Sequence, residues 1–261
     1  MSLQDHFTRP GPGVEKGVPR PKGLARFGQV LFRELGTLIQ VGLVSTVGLV
    51  PLISGLVFAV LTSNEMLLLV LGVVGGAIAG PFLCALYDAI LRMLRDEPFF
   101  WWHTYKKALQ QDWKASLLPG ALLGLFSSVA VLLLFSGSLG GNLPSILALA
   151  GMLVLLMIAP LWLAQIALMD LPLLPLLKNS LLMAFGCAPR TIPSALAQMV
   201  YWGLLLFFVP WSTIYVLMFG LWPISLIVLH TIYAPLNKNF QIEEKLAQKR
   251  AAELEEEETL A

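Results

Sequence analysis

The ionisable side chains that could do chemistry are few in this sequence, and most of them stand where long apolar segments end. Carboxylates and histidines are the groups that general acid-base chemistry uses. Asp88 and Arg92 are four residues apart, so on a helix they share one face and are expected to form an ion pair. His230 is expected to be a hydrogen-bonded histidine rather than a ligand. The candidate polar cluster consists of Asp88, Arg92, His103, Asp170, Lys178 and His230.

Motifs of known catalytic mechanism are absent from the sequence. It has no Gly-x-Ser-x-Gly turn, no His-Glu-x-x-His zinc motif and no glycine-rich phosphate loop. Cys84 and Asp88 would share a helix face, but no third and fourth ligand follows at a spacing suited to a metal. We therefore predict no catalytic residue, no cofactor and no metal site, and a protein that is not an enzyme.

Composition identifies the class of protein. Of the 261 residues, 57% are hydrophobic and only 13% are charged, whereas soluble domains carry about a quarter charged residues. The chain is therefore predicted to be a membrane protein. A net charge of +1 and two cysteines exclude a nucleic-acid binder and a disulfide-rich secreted scaffold. Cys84 and Cys187 are expected to stay reduced and unbridged.

Uninterrupted apolar segments predict the number of membrane crossings. A helix needs about 20 residues to cross the hydrocarbon core, and four segments near this length carry no charged side chain. The stretch after Arg190 fits two more crossings with a turn at 210–213, since the alternative turn at 220–223 would leave the last helix short. The predicted fold is an all-α polytopic membrane helix bundle. Its spans are residues 38–61, 66–87, 117–136, 144–169, 193–209 and 212–235.

The distribution of lysine and arginine predicts the orientation of these spans. In membrane proteins the two residues concentrate in short cytoplasmic loops. All 17 of them lie before the first span, between the second and third, between the fourth and fifth, or after the sixth. The opposite loops, at residues 62–65, 137–143 and 210–213, contain none. We therefore expect a multi-pass protein of the plasma membrane with both termini in the cytoplasm.

Three regions follow from this topology. Residues 1–35 are predicted to form a basic cytoplasmic arm and an interfacial lead-in, and the arm is expected to lie against anionic lipid. Residues 36–237 would form the transmembrane helical domain. Residues 238–261 would form a charged cytoplasmic tail, whose run of glutamates is typical of a solvated helix.

Two segments between spans, residues 91–116 and 170–190, are predicted to form amphipathic elbows at the cytoplasmic surface. Asp96 is expected to cap the first elbow helix, with Pro98 in its first turn. A similar order of residues around Asp170 leads to the hypothesis that the elbows belong to an internal repeat. The apolar face of the first elbow would consist of Trp102, Tyr105, Leu109 and Trp113.

Small residues four apart predict where the helices pack. In lipid, helices approach closely where glycine or serine lines one face, because van der Waals contact drives their association. One such stripe lies in the second span and another in the third. We expect a contact within one chain rather than a dimer, and the oligomeric state is left open. The packing positions are Gly72, Gly76, Gly80, Gly120 and Gly124.

The segment from Phe99 to Ser116 opens with Phe-Phe-Trp-Trp, continues through Lys106 and Lys107, and ends in Trp-Lys-Ala-Ser. It resembles the YesL-like family of bacterial integral membrane proteins of unknown function, in which aromatic residues lead into a lysine-containing helix before the next span. The segment Leu177-Lys178-Asn179-Ser180-Leu181 is similar to the family's later lysine-asparagine segment. The resemblance covers roughly residues 31–238. It implies a polytopic protein of the bacterial plasma membrane that is associated with carbohydrate uptake.

The function expected from this resemblance is that of a non-enzymatic accessory or regulatory component of solute uptake, and of carbohydrate uptake in particular. Expected partners are the lipid bilayer, anionic lipid at the cytoplasmic face and a membrane permease, without nucleic acid. One alternative is a small transporter with a site between spans two and four, near Gly80-Pro81 and Ala159-Pro160, because interrupted helices mark such sites. A lesser alternative is an enzyme at the inner membrane surface that would use Asp88, Asp170 and His230.

Overall fold

The structure is a computed structural model. It describes residues 21, 23–97, 100–135, 142–169, 171–208, 211–246 and 248. Within these residues the regular secondary structure is α-helical and includes no strand, as the all-α prediction requires. The helices, in chain order, are α1 Leu24–Leu61, α2 Glu65–Arg95, α3 Trp101–Phe135, α4 Asn142–Leu168, α5 Leu173–Gly186, α6 Ala188–Phe207, α7 Trp211–Phe219 and α8 Trp222–Phe240.

Four helices are long and apolar enough to cross a membrane. They contain 23 to 38 residues, whereas a crossing needs about 20. Many of their large apolar side chains are exposed on the surface of the chain, which suits lipid as the surrounding solvent. The four segments are Leu24–Leu61, Glu65–Arg95, Trp101–Leu133 and Ile146–Leu168.

The first predicted elbow is not a separate helix in the structure. Residues 101–116 form the first turns of α3, which continues without interruption to Phe135. Tyr105 is buried, and its hydroxyl lies 2.9 Å from Ser45 Oγ of α1, so these turns pack into the bundle. Asp96, expected to cap an elbow helix, instead ends α2 in a left-handed conformation. Pro98 lies outside the described residues.

The predicted boundary at residue 35 does not correspond to a break in the chain. Helix α1 runs continuously through it, and Arg26 and Val30 are already buried. The interfacial lead-in is therefore part of the first helix. The boundary at 237 also lies within a helix, since α8 continues to Phe240. The arm before residue 21 and the glutamate run of the tail lie outside the described residues.

The second predicted elbow, residues 170–190, contains a short helix of its own, α5. This helix buries Leu176 and Ser180 and exposes Leu182 and Phe185. It ends at Gly186, and α6 begins two residues later, five residues before the predicted span 193–209. The two elbows therefore differ in structure, because the first continues into the long helix α3 and the second contains the separate short helix α5.

The segment 212–235, expected as one span, is divided into α7 and α8. The break lies at Gly220 and Leu221, the turn that the sequence offered as an alternative. Gly220 has φ of 73° and lies against the backbone of Gly42 in α1, so a side chain at this position would collide with α1. Helix α6 ends at Phe207 and α7 begins at Trp211, so the chain also breaks near the preferred turn.

The glycine stripes of α2 and α3 face each other in antiparallel order. Gly72 contacts Gly124 and Ser128, Gly76 contacts Gly120 and Gly124, and Gly80 contacts Ser116 and Gly120. The two backbones touch directly, because no side chain separates them at these positions. The contact lies within one chain, and it leaves these faces of α2 and α3 fully covered.

Candidate functional site

Charged side chains gather where α1 begins and α2 ends. Some come from the first three turns of α1, and the others come from the last two turns of α2 and the residues that follow it. They form two neighbouring sets of ion pairs at one end of the bundle. We call this group the charged clasp, and it consists of Arg26, Arg33, Asp88, Arg92, Arg95, Asp96 and Glu97.

Asp96 is the centre of the first half of the clasp. Its carboxylate lies 2.7 Å from Arg26 Nη2 and 2.6 Å from Arg33 Nη1. Arg26 Nη2 also donates a hydrogen bond to the Leu94 carbonyl at 2.7 Å, one of the carbonyls at the end of α2. Positive charge at a helix C-terminus is stabilising, because the unpaired carbonyls there are partially negative. The two arginines therefore hold the start of α1 against the end of α2.

The environment of Asp96 changes its acidity. Burial would raise the pKa of its carboxyl group, but hydrogen bonds from Arg26 and Arg33 and their positive charges outweigh this effect. The net result is a pKa below the ordinary value for aspartate. Asp96 is therefore ionised at neutral pH, and its charge contributes to the stability of the folded chain.

The second half of the clasp connects residues within and just after α2. Arg92 Nε lies 2.8 Å from Asp88 Oδ2, the ion pair that the four-residue spacing suggested. The Asp88 side chain is only 4% exposed, whereas that of Arg92 is 35% exposed. Glu97 pairs with Arg95 at 2.8 Å and with Arg92 at 3.5 Å. Each of the carboxylates Asp88, Asp96 and Glu97 is thus bound by at least one arginine.

The remaining candidate residues lie apart from the ion pair of Asp88 and Arg92. His103 and Lys178 are exposed, on the first turn of α3 and on α5 respectively. His230 of α8 packs its ring against Phe27 of α1, with 5.6 Å between ring centroids, and hydrogen-bonds to the Gly23 backbone. Within the described part of the chain, no ion pair or side-chain hydrogen bond joins these three residues to Asp88 or Arg92. Asp170 lies outside the described residues.

The most important members that sequence reasoning missed are Arg26 and Arg33. Both lie in the predicted region 1–35, the basic arm and interfacial lead-in, yet Arg26 is only 7% exposed. The signal that could have identified them is their spacing of seven residues, which places both on one face of a helix after two turns. A basic face at the start of α1 can then meet the end of α2.

The clasp has the chemistry of a structural contact rather than of a reaction centre. Its carboxylates are held by arginines, so none of them is available as a free base. Over the described ranges, no three histidine, cysteine or acidic residues lie close enough to hold a metal ion. Cys84 is buried with Sγ at 3.7 Å from the Leu163 carbonyl, and neither it nor Cys187 is bridged.

The region considered for a transport site is filled. Pro81 of α2 and Pro160 of α4 are buried, and Cys84 and Leu163 pack between the two helices. Proline at position 160 cannot donate to the Leu156 carbonyl. Instead, Gln198 Nε2 of α6 donates to that carbonyl at 3.1 Å. The interruption in α4 is therefore satisfied by a neighbouring helix rather than left open to a solute.

Most of the buried hydroxyl side chains in the helices bind their own helices. Ser45, Thr46, Ser128 and Ser225 each donate to the carbonyl four residues earlier. Gln165 of α4 differs, because its Nε2 donates to Ser180 Oγ at 3.1 Å while its buried Oε1 has no hydrogen-bond partner among the described residues.

Comparison of the chain with protein-family models, with curated proteins and with solved structures finds no match.

Proposed function

We propose that this protein crosses the bacterial plasma membrane six times, with both termini in the cytoplasm. The four long apolar helices would supply the first four crossings. Helix α6 has 20 residues, a length of about 30 Å, which matches the hydrocarbon core. Helices α7 and α8 together would form the sixth crossing, interrupted at Gly220. The distribution of all 17 lysines and arginines supports this orientation.

In this arrangement the charged clasp lies at the cytoplasmic end of the first two spans. Its arginines would stand at the level of the lipid headgroups, where charged side chains are tolerated. The glycine stripes lie deeper in the same helices and would hold α2 and α3 together within the lipid. The result is a bundle fastened by ion pairs at one end and by backbone contact in the middle.

The function that this architecture supports best is a non-enzymatic accessory or regulatory component of solute uptake. The observation that carries the proposal is the filled interface between α2 and α4, where small and apolar side chains occupy the region that a solute would need. The resemblance to the YesL-like family supports carbohydrate as the class of solute. The partner would be a membrane permease that contacts the exposed apolar surface of the bundle.

The experiment is a comparison of transport and association with the same purified protein. The chain would be reconstituted alone in liposomes and tested for uptake of labelled sugars, and affinity-tagged chain would be isolated from native membranes. The accessory proposal predicts no uptake and stoichiometric recovery of a permease. Uptake by the chain alone would refute it.

A small transporter is the second candidate, and one observation favours it. Trp162 Nε1 and Gln165 Oε1 are buried without a hydrogen-bond partner in the described structure, and the two residues are three apart on α4. Such groups could bind a polar solute. If the liposomes do take up sugar, Gln165→Leu should abolish that uptake, whereas Gln110→Leu on the exposed face of α3 should leave it unchanged.

A further inference from the structure

Two adjoining hollows lie where the turn between α5 and α6 meets the end of α8. Each has a volume of about 390 Å³. Gly186, Cys187 and Asn239 line both of them, so the hollows form one continuous groove. We call it the basic groove, because its remaining polar walls are formed by Arg190 and Lys238.

Among the described residues, the lining of the basic groove carries positive charge without a carboxylate to balance it. Its lining contains two cations, Arg190 and Lys238, and two side-chain amides, Asn179 and Asn239, but no carboxylate. Both cations are exposed, and neither forms an ion pair with any residue that the structure describes. This differs from the charged clasp, where every carboxylate is bound by an arginine. The groove therefore offers cations and amide donors to an anion.

The surroundings of the groove are apolar. Leu182 and Met183 of α5 and Phe240 of α8 line one of its walls. Beside them, Leu182 and Phe185 are 64% and 59% exposed. An occupant with an anionic head and a hydrocarbon body would satisfy both parts of this surface at once. A small free anion would use only the cations and leave the apolar wall uncovered.

We infer that the basic groove binds the phosphate headgroup of an anionic phospholipid, with an acyl chain against Leu182 and Phe185. Charge complementarity selects the anionic headgroup, because basic pockets between helices near the membrane surface bind such lipids. The inference rests on the proposed membrane placement, but it does not depend on a role in solute uptake.

Cys187 provides a direct test in the unaltered protein. It lines the groove and is partly exposed, whereas Cys84 is fully buried. The full chain would be placed in nanodiscs of phosphatidylcholine, or of an equimolar mixture with phosphatidylglycerol, and Cys187 would be labelled with N-ethylmaleimide. A bound phosphatidylglycerol headgroup should slow the labelling by about fivefold or more, as expected for loss of access to an occupied site.

Two pairs of substitutions separate a specific site from a general effect of surface charge. The double variant Arg190→Gln with Lys238→Gln should label at Cys187 as fast in the mixed nanodiscs as the wild type does in phosphatidylcholine alone. Lys106→Gln with Lys107→Gln removes the same charge from the exposed face of α3 and should leave the protection intact. Each cation near an anionic surface contributes about a fivefold factor in binding. The double variant at Arg190 and Lys238 should therefore lose most of its affinity for the anionic lipid.

Three results would overturn the inference. The first is an equal rate of Cys187 labelling in both lipids for the wild type. The second is slow labelling that persists in the mixed nanodiscs after both Arg190 and Lys238 are replaced. The third is protection of Cys187 by inorganic phosphate in phosphatidylcholine nanodiscs that is as strong as protection by phosphatidylglycerol. The last result would identify a free phosphate as the ligand instead of a lipid. Failure of the membrane placement would be recognised separately, because the chain would not co-elute with nanodiscs at all.

Discussion

Gly76 of α2 and Gly124 of α3 lie so close that neither position has room for a side chain. A Cβ atom at Gly76 would stand 2.7 Å from the Cα of Gly124 and 2.8 Å from its nitrogen. Backbone atoms cannot move aside as a flexible side chain can. The contact between α2 and α3 is therefore highly sensitive to added volume.

Substitution of Gly76 by alanine should destabilise the protein by about 2 kcal/mol, because overpacking a close contact costs about 1–3 kcal/mol. Gly151→Ala in α4 is the matched control, since no atom lies within 4 Å of the Cβ it would add. That change should be neutral or stabilising by up to about 1 kcal/mol, because alanine favours a helix. Unfolding by sodium dodecyl sulfate in mixed micelles measures both variants, and equal stability would contradict the tight contact.

The hydrogen bond from Gln198 to the Leu156 carbonyl should matter only while Pro160 is present. Gln198→Leu should cost about 1 kcal/mol, since it leaves a buried carbonyl without a donor. Pro160→Ala supplies the backbone N–H that proline lacks, so the same Gln198→Leu change should cost much less in that background. The free energies of unfolding of the wild type, the two single variants and the double variant give the coupling energy between Gln198 and Pro160. Additive effects would show that Gln198 does not compensate for the proline.

The general character of the fold could be predicted because lipid imposes simple rules. Apolar segments longer than about 20 residues must be helical to satisfy their backbone groups, and four such helices are present in the structure. The four-residue spacing of Gly72, Gly76 and Gly80 creates one flat helix face, and that face is in contact with α3. These features depend on local sequence alone.

The pairing of α1 with the end of α2, the burial of Tyr105 and the conformation of Gly220 could not be predicted in the same way, because they depend on tertiary contacts. Tyr105 looked like an interfacial aromatic residue, yet its hydroxyl bonds to Ser45, which lies 60 residues earlier. Gly220 is left-handed, and the backbone of Gly42, which lies 178 residues earlier, occupies the space beside it. Arg26 finds its partner 70 residues away in Asp96. None of these pairings has a signature within a short window of sequence.

Asp96→Asn should destabilise the chain by about 2 kcal/mol, because it removes the charge that binds Arg26 and Arg33, and hydrogen bonds between charged groups contribute about 1.5–3 kcal/mol. Asparagine tolerates the left-handed conformation, so the backbone of residue 96, at φ of 58°, is not strained by the change. Glu34→Gln is the control, because Glu34 pairs with the same Arg33 at a more exposed site and should cost below about 1 kcal/mol. A larger loss for Glu34→Gln than for Asp96→Asn would contradict the central role of Asp96.

The effect of Asp96 should also depend on pH. Its pKa in the folded chain is lowered by Arg26 and Arg33, so its contribution is complete above the unfolded pKa, about 3.9. The contribution declines below that pH and is lost as the pH falls through the folded pKa. The stability difference between wild type and Asp96→Asn should therefore be constant from neutral pH to about pH 5 and shrink below about pH 4. A difference that grew as the pH fell would refute the assignment.

Every part of the proposed architecture depends on the placement of the lysines and arginines on one side of a lipid bilayer. The location of the C-terminus tests this placement directly. Two reporters would be fused after Ala261 and expressed in bacterial cells. If the chain crosses six times with a cytoplasmic clasp, the fusion to green fluorescent protein should be fluorescent and the fusion to alkaline phosphatase should be inactive. An active phosphatase fusion would place the tail outside the cytoplasm and contradict the proposed topology.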